Sequence, residues 1–360
     1  MDNSGQQKLK PIDLPPLHEK PLVSVLIANY NYAQYIGEAV ESVLNQSYQN
    51  FEVIICDDGS TDDSRCLIER YAARDARVQF VFQPNGGASS ALNTAYQQSR
   101  GEIISLLDAD DVFLATKLEK AVAILRSSPS AGIAIHPVTP VSARGKVIGA
   151  QIPALSTQGW VAHEALRNGG EVNGFPPCSG LTFRREVTSS LFPIPVRLRC
   201  GSDGYLRRTA LMITTVAAVA EPLALYRLHG NNVTGATSPA PGNLRKNLAD
   251  SRAVADAQVE FLRNCYGDAL SRQLDPCAST GYRTGVLAYY LLTGSLPPSG
   301  VGGTPAQIIG LLPTGPLRMA WRVLLALPRS MSLPLLAAWQ AQYPGKRFLR
   351  PLARIAKLRT

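Results

Sequence analysis

The sequence predicts an α/β fold in which a mostly parallel sheet is flanked by helices and followed by a helical C-terminal extension. Through the first third of the chain, short apolar runs alternate with helical stretches of about 10 to 15 residues, a pattern typical of βαβ units. Polar side chains follow each of the first four apolar runs. Because ligands of such sheets bind beyond the carboxyl ends of the strands, these ends predict one shared binding rim.

The predicted elements follow in order from the first apolar run. Strands are expected over residues 22–28, 51–56, 78–82 and 102–107, separated by helices over about 33–46, 62–74 and 89–99. Beyond residue 116 the pattern is less regular, with strands expected at 132–136, 146–151 and 181–184 and a helix near 160–168. A Gly, Pro, Ser and Thr-rich stretch at 230–242 predicts a flexible connection before a helical region at 243–293 and a second linker to residue 304.

The positive charge of the chain is concentrated in its last quarter. Residues 276–360 hold ten of the 36 lysines and arginines and no aspartate or glutamate, so the net charge of +9 arises there. The rest of the chain has no bias toward nucleic acid, and no nucleic-acid partner is expected. No apolar run reaches the roughly 18 residues of a membrane span, the N-terminus lacks the apolar segment of a signal peptide, and the six cysteines lack zinc-site spacing. We therefore expect a cytoplasmic protein with reduced thiols.

An apolar run that ends in three carboxylates is the feature that says most about chemistry. Residues 104–111 read Ile-Ser-Leu-Leu-Asp-Ala-Asp-Asp, which places Asp108, Asp110 and Asp111 at the end of the fourth predicted strand. Carboxylates this close repel one another and are commonly neutralised by a divalent cation, which can also bind substrate phosphates. The pattern therefore suggests Mg²⁺ or Mn²⁺ with a nucleotide diphosphate. The alternative is a solvated acidic turn that caps the helix beginning near Thr116.

Two longer motifs resemble one enzyme family. "VSVLIANYNYAQYIGEAVESVLNQSYQNFEVIICDDGSTDDS" and "NGGASSALNTAYQQSRGEIISLLDADD" are similar to the family 2 glycosyltransferases, inverting enzymes with the GT-A fold. The resemblance implies a nucleotide-diphospho-sugar donor, expected to be UDP-linked, a carbohydrate or lipid-linked acceptor, and Mn²⁺ or Mg²⁺ as cofactor. It also implies a domain at 21–235, with a nucleotide half at 21–115 and an acceptor half at 116–235. A polar segment at 1–20 would precede it, and a helical extension at 243–304 and a basic amphipathic tail at 305–360 would follow.

The resemblance assigns the strand ends of the nucleotide half to donor binding. Base and ribose contacts are implied for Ala28, Asn29, Tyr30, Asp57, Asp58, Asn85, Asp108 and Ala109. Asp58 would accept the imide N–H of uracil, Asp108 would approach the ribose, and Asp110 would bind the metal, with Asp111 in support. Without the resemblance, the acidic residues after the second strand would be a capped strand-to-helix turn.

The acceptor half resembles the family more weakly. "CSGLTFRREV" implies a donor-sugar and acceptor pocket with Cys178, Ser179, Gly180 and Arg184. In "GSDGYLRR" the family carries an acidic pair whose second member is the catalytic base. Here the first member is Ser202, which is placed in the pocket, and Asp203 is the one candidate base. A carboxylate favoured by the dipole of a helix N-terminus is the simpler explanation of Asp203.

A third motif resembles the same family, and one residue departs from its pattern. "YRLHGNNVT" resembles a Tyr-Arg-x-His loop that brings Tyr226, Arg227 and His229 to the site, with the histidine on the metal or diphosphate. The simpler explanation of His229 is a surface histidine. Leu92 stands where the family often has arginine, which removes one possible diphosphate contact.

Two other functions fit parts of the pattern. A sugar-phosphate nucleotidyltransferase has a similar sheet, but no Gly-rich loop with lysine or arginine follows the first strand. A non-catalytic nucleotide-sugar-binding protein would explain Ser202 and Leu92. For the basic tail, a helix on an anionic membrane surface and a helical layer that covers the core are both open.

Overall fold

The fold class predicted from the sequence is confirmed by the computed structural model, which describes residues 9–229, 241–298 and 303–341. The strands of this part of the chain are β1 (Val23–Asn29), β2 (Phe51–Asp57), β3 (Val78–Phe82), β4 (Ile103–Leu106), β5 (Val112–Phe113), β6 (Ala131–Ile135), β7 (Val138–Ser142), β8 (Leu181–Arg184), β9 (Thr215–Ala218) and β10 (Ala224–Leu228). Its helices are α1 (Ala33–Leu44), α2 (Ser64–Arg74), α3 (Ala88–Gln98), α4 (Lys117–Ser127), α5 (Ala162–Arg167), α6 (Arg185–Leu191), α7 (Ser202–Ala210), α8 (Pro241–Tyr266), α9 (Asp268–Ser271), α10 (Thr280–Thr293), α11 (Pro305–Gly310), α12 (Pro316–Ala326) and α13 (Arg329–Ala341).

The main sheet has seven strands in the order β3-β2-β1-β4-β8-β6-β9. All neighbouring strands are parallel except β8, which runs antiparallel to both β4 and β6. A smaller sheet has the order β5-β10-β7, and its strand β5 comes directly after β4 in the chain. The sheet is therefore mostly parallel, as predicted, and its one reversed strand decides where several predicted site residues lie.

The register of the parallel strands brings their carboxyl ends together. Asn29 at the end of β1 is opposite Asp57 at the end of β2, which is in turn opposite Phe82 at the end of β3. Leu26 is opposite Leu106, so the acidic residues that follow β4 emerge at the same edge. The four predicted polar strand ends thus share one rim.

Two apolar cores cover the two faces of the sheet. Side chains alternate along β1, so Leu26 packs in one core while Val25 and Ile27 pack in the other. The helices α3 and α7 cover the first face, and α1 and α4 cover the second. Burial on both faces explains why the central strands are mostly apolar on both sides rather than alternating, with the buried Ser24 and Glu52 hydrogen-bonded to each other.

The predicted strand at residues 146–151 is wrong. The strand of this region is β7, at the edge of the small sheet. The predicted segment meets it at one bridge, Val141 to Val147, and at backbone hydrogen bonds on either side. Pro140 within β7 lowers its strand propensity, but a proline is tolerated in an edge strand. Val147 and Ile148 in the predicted segment are exposed, so their apolar character does not reflect a place in the core.

The N-terminal segment packs against the main domain, whereas the last helices pack against α8 and α10 of the helical extension. The backbone N–H of Ile12 donates to the carbonyl of Ile213 at 2.7 Å, and Leu9 is buried in the first core. In the C-terminal helices, Ile308, Trp321 and Leu324 are buried in a third apolar cluster with α10. Between residues 305 and 336 the tail therefore covers other helices with its apolar side chains, whereas the last basic residues, from 342 onward, lie outside the described part.

Candidate active site

A cavity of about 540 Å³ opens at the carboxyl ends of the parallel strands. Most of the residues predicted for the site line it: Ala28, Asn29, Tyr30, Asp58, Asn85, Asp108, Ala109, Asp110, Cys178, Ser202 and Asp203. Leu92 and Tyr226 line it as well. The two halves of the chain therefore contribute to one concave site.

Arg184 lies away from this cavity, contrary to the prediction from its motif. Because β8 runs antiparallel to β4, its last residue is opposite Ile103 at the start of β4. Arg184 therefore lies at the amino ends of the parallel strands, away from the cavity. The guanidinium is buried there and donates to the carbonyls of Pro15 and Pro129. Gly180 does not line the cavity either; it packs so closely against Pro176 that a side chain would not fit.

The aspartates after β2 organise the nucleotide end of the cavity. Asp57 does not line it; its carboxylate accepts hydrogen bonds from Asn29 Nδ2 at 2.7 Å and from Ser60 Oγ at 2.6 Å, which ties the ends of β1 and β2 together. Asp58 does line it, and accepts from the backbone N–H groups of Gly86 and Gly87 at 2.8 and 2.7 Å. Both carboxylates thus shape the loops around the cavity.

The acidic cluster has the donor set expected for a hard divalent cation. Carboxylate oxygens of Asp108, Asp110 and Asp111 all lie within 4.8 Å of one another. Burial, together with the charges of Asp110 and Asp203, raises the pKa of Asp108 to about 7. Burial, together with the charges of Asp108 and Asp110, raises the pKa of Asp111 well above its usual value. Repulsion of this kind is relieved by a cation, and carboxylate oxygens suit Mg²⁺ and Mn²⁺. The residues present therefore fit the predicted metal.

Asp111 is held in place by the chain itself. One oxygen accepts from Ser179 Oγ at 2.6 Å, and the other accepts from the backbone N–H of Arg227 at 2.8 Å. Ser179 Oγ also accepts from the backbone N–H of Asp108 at 3.1 Å. Ser179, predicted to line the pocket, instead lies behind the acidic cluster and fixes its shape.

Arg227 supports the same cluster from the other side and does not line the cavity. Its buried guanidinium donates to the backbone carbonyl of Asp110 at 2.8 Å, to the carbonyl of Ala143 at 3.0 Å and to the carboxylate of Glu38 at 2.6 Å. The side chain also lies over the ring of Tyr35, 4.9 Å from its centroid. These contacts indicate a positioning residue rather than a pocket residue.

His229 reaches the acidic cluster between two aromatic rings. Its Nε2 lies 2.9 Å from Oδ2 of Asp110. The imidazole stacks on Tyr35 at 5.0 Å and meets the edge of Tyr32 at 5.7 Å. Tyr32, Tyr35 and Glu38 were not predicted for the site, although their spacing of three residues around the start of α1 favours one helix face.

Asp203 projects into the cavity from the first turn of α7. The preceding Gly201 has φ +90°, a backbone conformation that favours glycine and turns the chain into the helix. Within the described part of the chain, no hydrogen bond to the Asp203 carboxylate is formed, in contrast to Asp58 and Asp111. Its oxygens are thus available to a ligand.

The chain is similar to known glycosyltransferases. The family described as Glycosyl transferase family 2 matches residues 24–192. An uncharacterized glycosyltransferase of Nostoc sp. is 35% identical over 257 residues, which are 69% of this chain and 76% of that protein. The chondroitin synthase of Escherichia coli is 46% identical over 105 residues, which are 29% of this chain and 15% of the synthase. Among solved structures, S. aureus TarS 1–349 in complex with UDP-GlcNAc has a TM-score of 0.49 at 14% identity, over 89% of this chain and 88% of that one.

Proposed function

The chain belongs to glycosyl transferase family 2, and from this premise we propose that it moves one sugar, with inversion, from a nucleotide-diphospho-sugar to an acceptor hydroxyl. The observation that carries the proposal is that one cavity is lined both by the acidic cluster after β4 and by Asp203 at the start of α7. A site for the leaving diphosphate and a base for the incoming hydroxyl thus face the same ligand.

The proposed reaction divides the work between these groups. Asp110 and His229 would hold a divalent cation, with Asp108 toward the ribose, and that cation would stabilise the charge that develops on the departing diphosphate. Asp203 would take the proton of the acceptor hydroxyl while the hydroxyl oxygen bonds to the anomeric carbon of the donor sugar. The bond from that carbon to the diphosphate oxygen would break on the opposite face. Base catalysis of this kind contributes about 10² to 10⁴-fold to the rate.

The nucleotide would lie against the ends of the first three strands. Asp58 is proposed to accept the N–H of the base, since Oδ2 accepts only one hydrogen bond from the described residues and a carboxylate oxygen has room for a second. Asn29 and Tyr30 border the same part of the cavity. An imide N–H of this kind occurs in uracil, which supports a UDP-linked donor.

The acceptor is proposed to be a carbohydrate or a lipid-linked sugar in the synthesis of a surface polysaccharide or glycolipid. In the described part of the chain, no helix is both long and apolar enough to cross a membrane. The basic residues between 346 and 359 would bring the enzyme to an anionic membrane surface, where a lipid-linked acceptor is found.

The experiment is a panel of UDP- and GDP-sugars, each incubated with the full chain and Mn²⁺ or Mg²⁺ while the released nucleoside diphosphate is measured. We expect metal-dependent release from one donor, abolished by EDTA. Asp203→Asn should lower transfer by about 10²-fold or more without loss of nucleotide binding, whereas Asp63→Asn, an exposed aspartate outside the cavity, should have no effect.

Three outcomes would count against the proposal. Near-normal transfer by Asp203→Asn would show that another group is the base. Binding of nucleotide without turnover of any donor would favour the non-catalytic binding protein. Formation of a nucleotide sugar from a nucleoside triphosphate and a sugar phosphate would favour the nucleotidyltransferase.

A further inference from the structure

Arg199 lies on the exposed part of the cavity wall, in the loop before α7. Its backbone is fixed against the start of α3, because its carbonyl accepts from the N–H of Ala88 at 3.0 Å. A side chain on Gly87 would meet the backbone of Arg199 at 3.0 Å, so the close approach requires glycine. Nη2 of Arg199 donates to Oδ1 of Asn85 at 2.6 Å, which directs the guanidinium along the cavity wall.

The charges around the cavity make this arginine unusual. Among the described residues that line the cavity, Arg199 is the only one with a cationic side chain, while Asp58, Asp108, Asp110 and Asp203 are acidic. Within the described part of the chain, no carboxylate forms an ion pair with it, and its side-chain partner, Asn85, is neutral. The segment that follows His229, residues 230–240, contains no lysine or arginine. The positive charge of Arg199 is thus left available to a ligand.

We infer that Arg199 is a donor-binding residue that pairs with the diphosphate of the nucleotide sugar. The inference rests on the proposed function and deepens it by naming a direct protein contact to the phosphates. A guanidinium presents two parallel N–H donors that match two oxygens of a charged phosphate. Neither the base nor the ribose offers a pair of acceptors with that negative charge. An anionic diphosphate in a cavity with four carboxylates needs positive charge from the protein as well as from the metal.

The test is calorimetric titration of the full chain with UDP and uridine, and with GDP and guanosine, in Mn²⁺ at fixed salt. The variants are Arg199→Gln and, as a matched control, Arg197→Gln. Arg197 is an exposed arginine two residues away that pairs with Glu260 outside the cavity. We expect Arg199→Gln to weaken binding of the diphosphate about 10- to 100-fold, the range for one hydrogen bond to a charged group, and to leave nucleoside binding unchanged. Arg199→Lys should recover only part of the loss, because the forked geometry is missing.

The outcomes separate this inference from the function on which it rests. Two results would show that Arg199 does not contact the phosphates and would leave the proposed function untouched. In the first, Arg199→Gln binds the diphosphate as well as the wild type does. In the second, the substitution weakens binding of the diphosphate and of the nucleoside by the same factor. If Arg197→Gln weakens the diphosphate as much as Arg199→Gln, the effect is long-range charge rather than contact. If the wild type binds neither diphosphate, the proposed function fails and the inference fails with it.

Discussion

Replacement of Arg227 by methionine should destabilise the protein and impair catalysis although the side chain does not line the cavity. The substitution keeps much of the apolar stem and, among the described residues, removes the side-chain hydrogen bonds to the carbonyls of Asp110 and Ala143 and to the carboxylate of Glu38. The bonds to the two carbonyls, one buried and one partly buried, contribute about 1–1.5 kcal/mol each. The carboxylate of Glu38 is 56% exposed, so that ion pair contributes less than about 1 kcal/mol. With the contact to Tyr35, the expected loss in the free energy of unfolding is about 3 kcal/mol.

The measurement is urea unfolding of wild type, Arg227→Met and Glu38→Gln, together with release of nucleoside diphosphate from the preferred donor. Glu38→Gln removes only the exposed ion pair and should cost less than about 1 kcal/mol. Because Arg227 holds the backbone of Asp110, the methionine variant should also lose about 10-fold or more of its activity, as is usual for residues that orient metal ligands. Equal stability losses in the two variants, or full activity in Arg227→Met, would refute the positioning role.

Three further predictions address the core, a loop and the tail. Lys117 is fully buried, and burial lowers its pKa well below 10.5. Between that lowered pKa and about 10.5, the unfolded chain therefore binds one proton more than the folded chain. The free energy of unfolding should rise with pH in this window, and more steeply in wild type than in Lys117→Met. Urea unfolding at pH 7, 8 and 9 checks this, and parallel curves would contradict it. Gly87 has φ +91° and packs against Arg199, so Gly87→Ala should lower the free energy of unfolding by about 1–3 kcal/mol in the same assay. Gly145→Ala, at φ +77° in open space, should lower it less. A chain that ends after residue 341 should float with anionic liposomes less than the full chain, and equal flotation would exclude the terminal basic residues.

Local patterns were sufficient for the nucleotide half of the molecule. In a parallel sheet with short connections, the carboxyl ends of consecutive strands fall at one edge, so the polar residues after β1, β2 and β4 could be placed together before any contact was known. The structure brings Asn29, Asp58 and Asp108 to one cavity as expected. Three carboxylates after an apolar run also predicted an acidic cluster, and the structure brings their oxygens within 4.8 Å of one another.

Residues that depend on strand direction or on a distant partner could not be placed in this way. Arg184 and Cys178 belong to one motif, yet only Cys178 lines the cavity, because the reversed direction of β8 carries its last residue to the far edge. Arg227 was predicted for the pocket, but its bonds to Asp110 and Glu38 join residues more than a hundred positions apart. No local pattern carries that information.

The sequence by itself determined the α/β class, the positions of the first four strands along the chain and the polar residues at their ends, since these follow from periodicity and from the spacing of charges. Only the tertiary structure decided which charged side chains face a ligand and which support the site. Asp108, Asp203 and Arg199 line the cavity, while Asp111 and Arg227 are used by the chain itself. The physical reason is that a buried polar group must find a partner, and which partner is nearest depends on how distant segments pack.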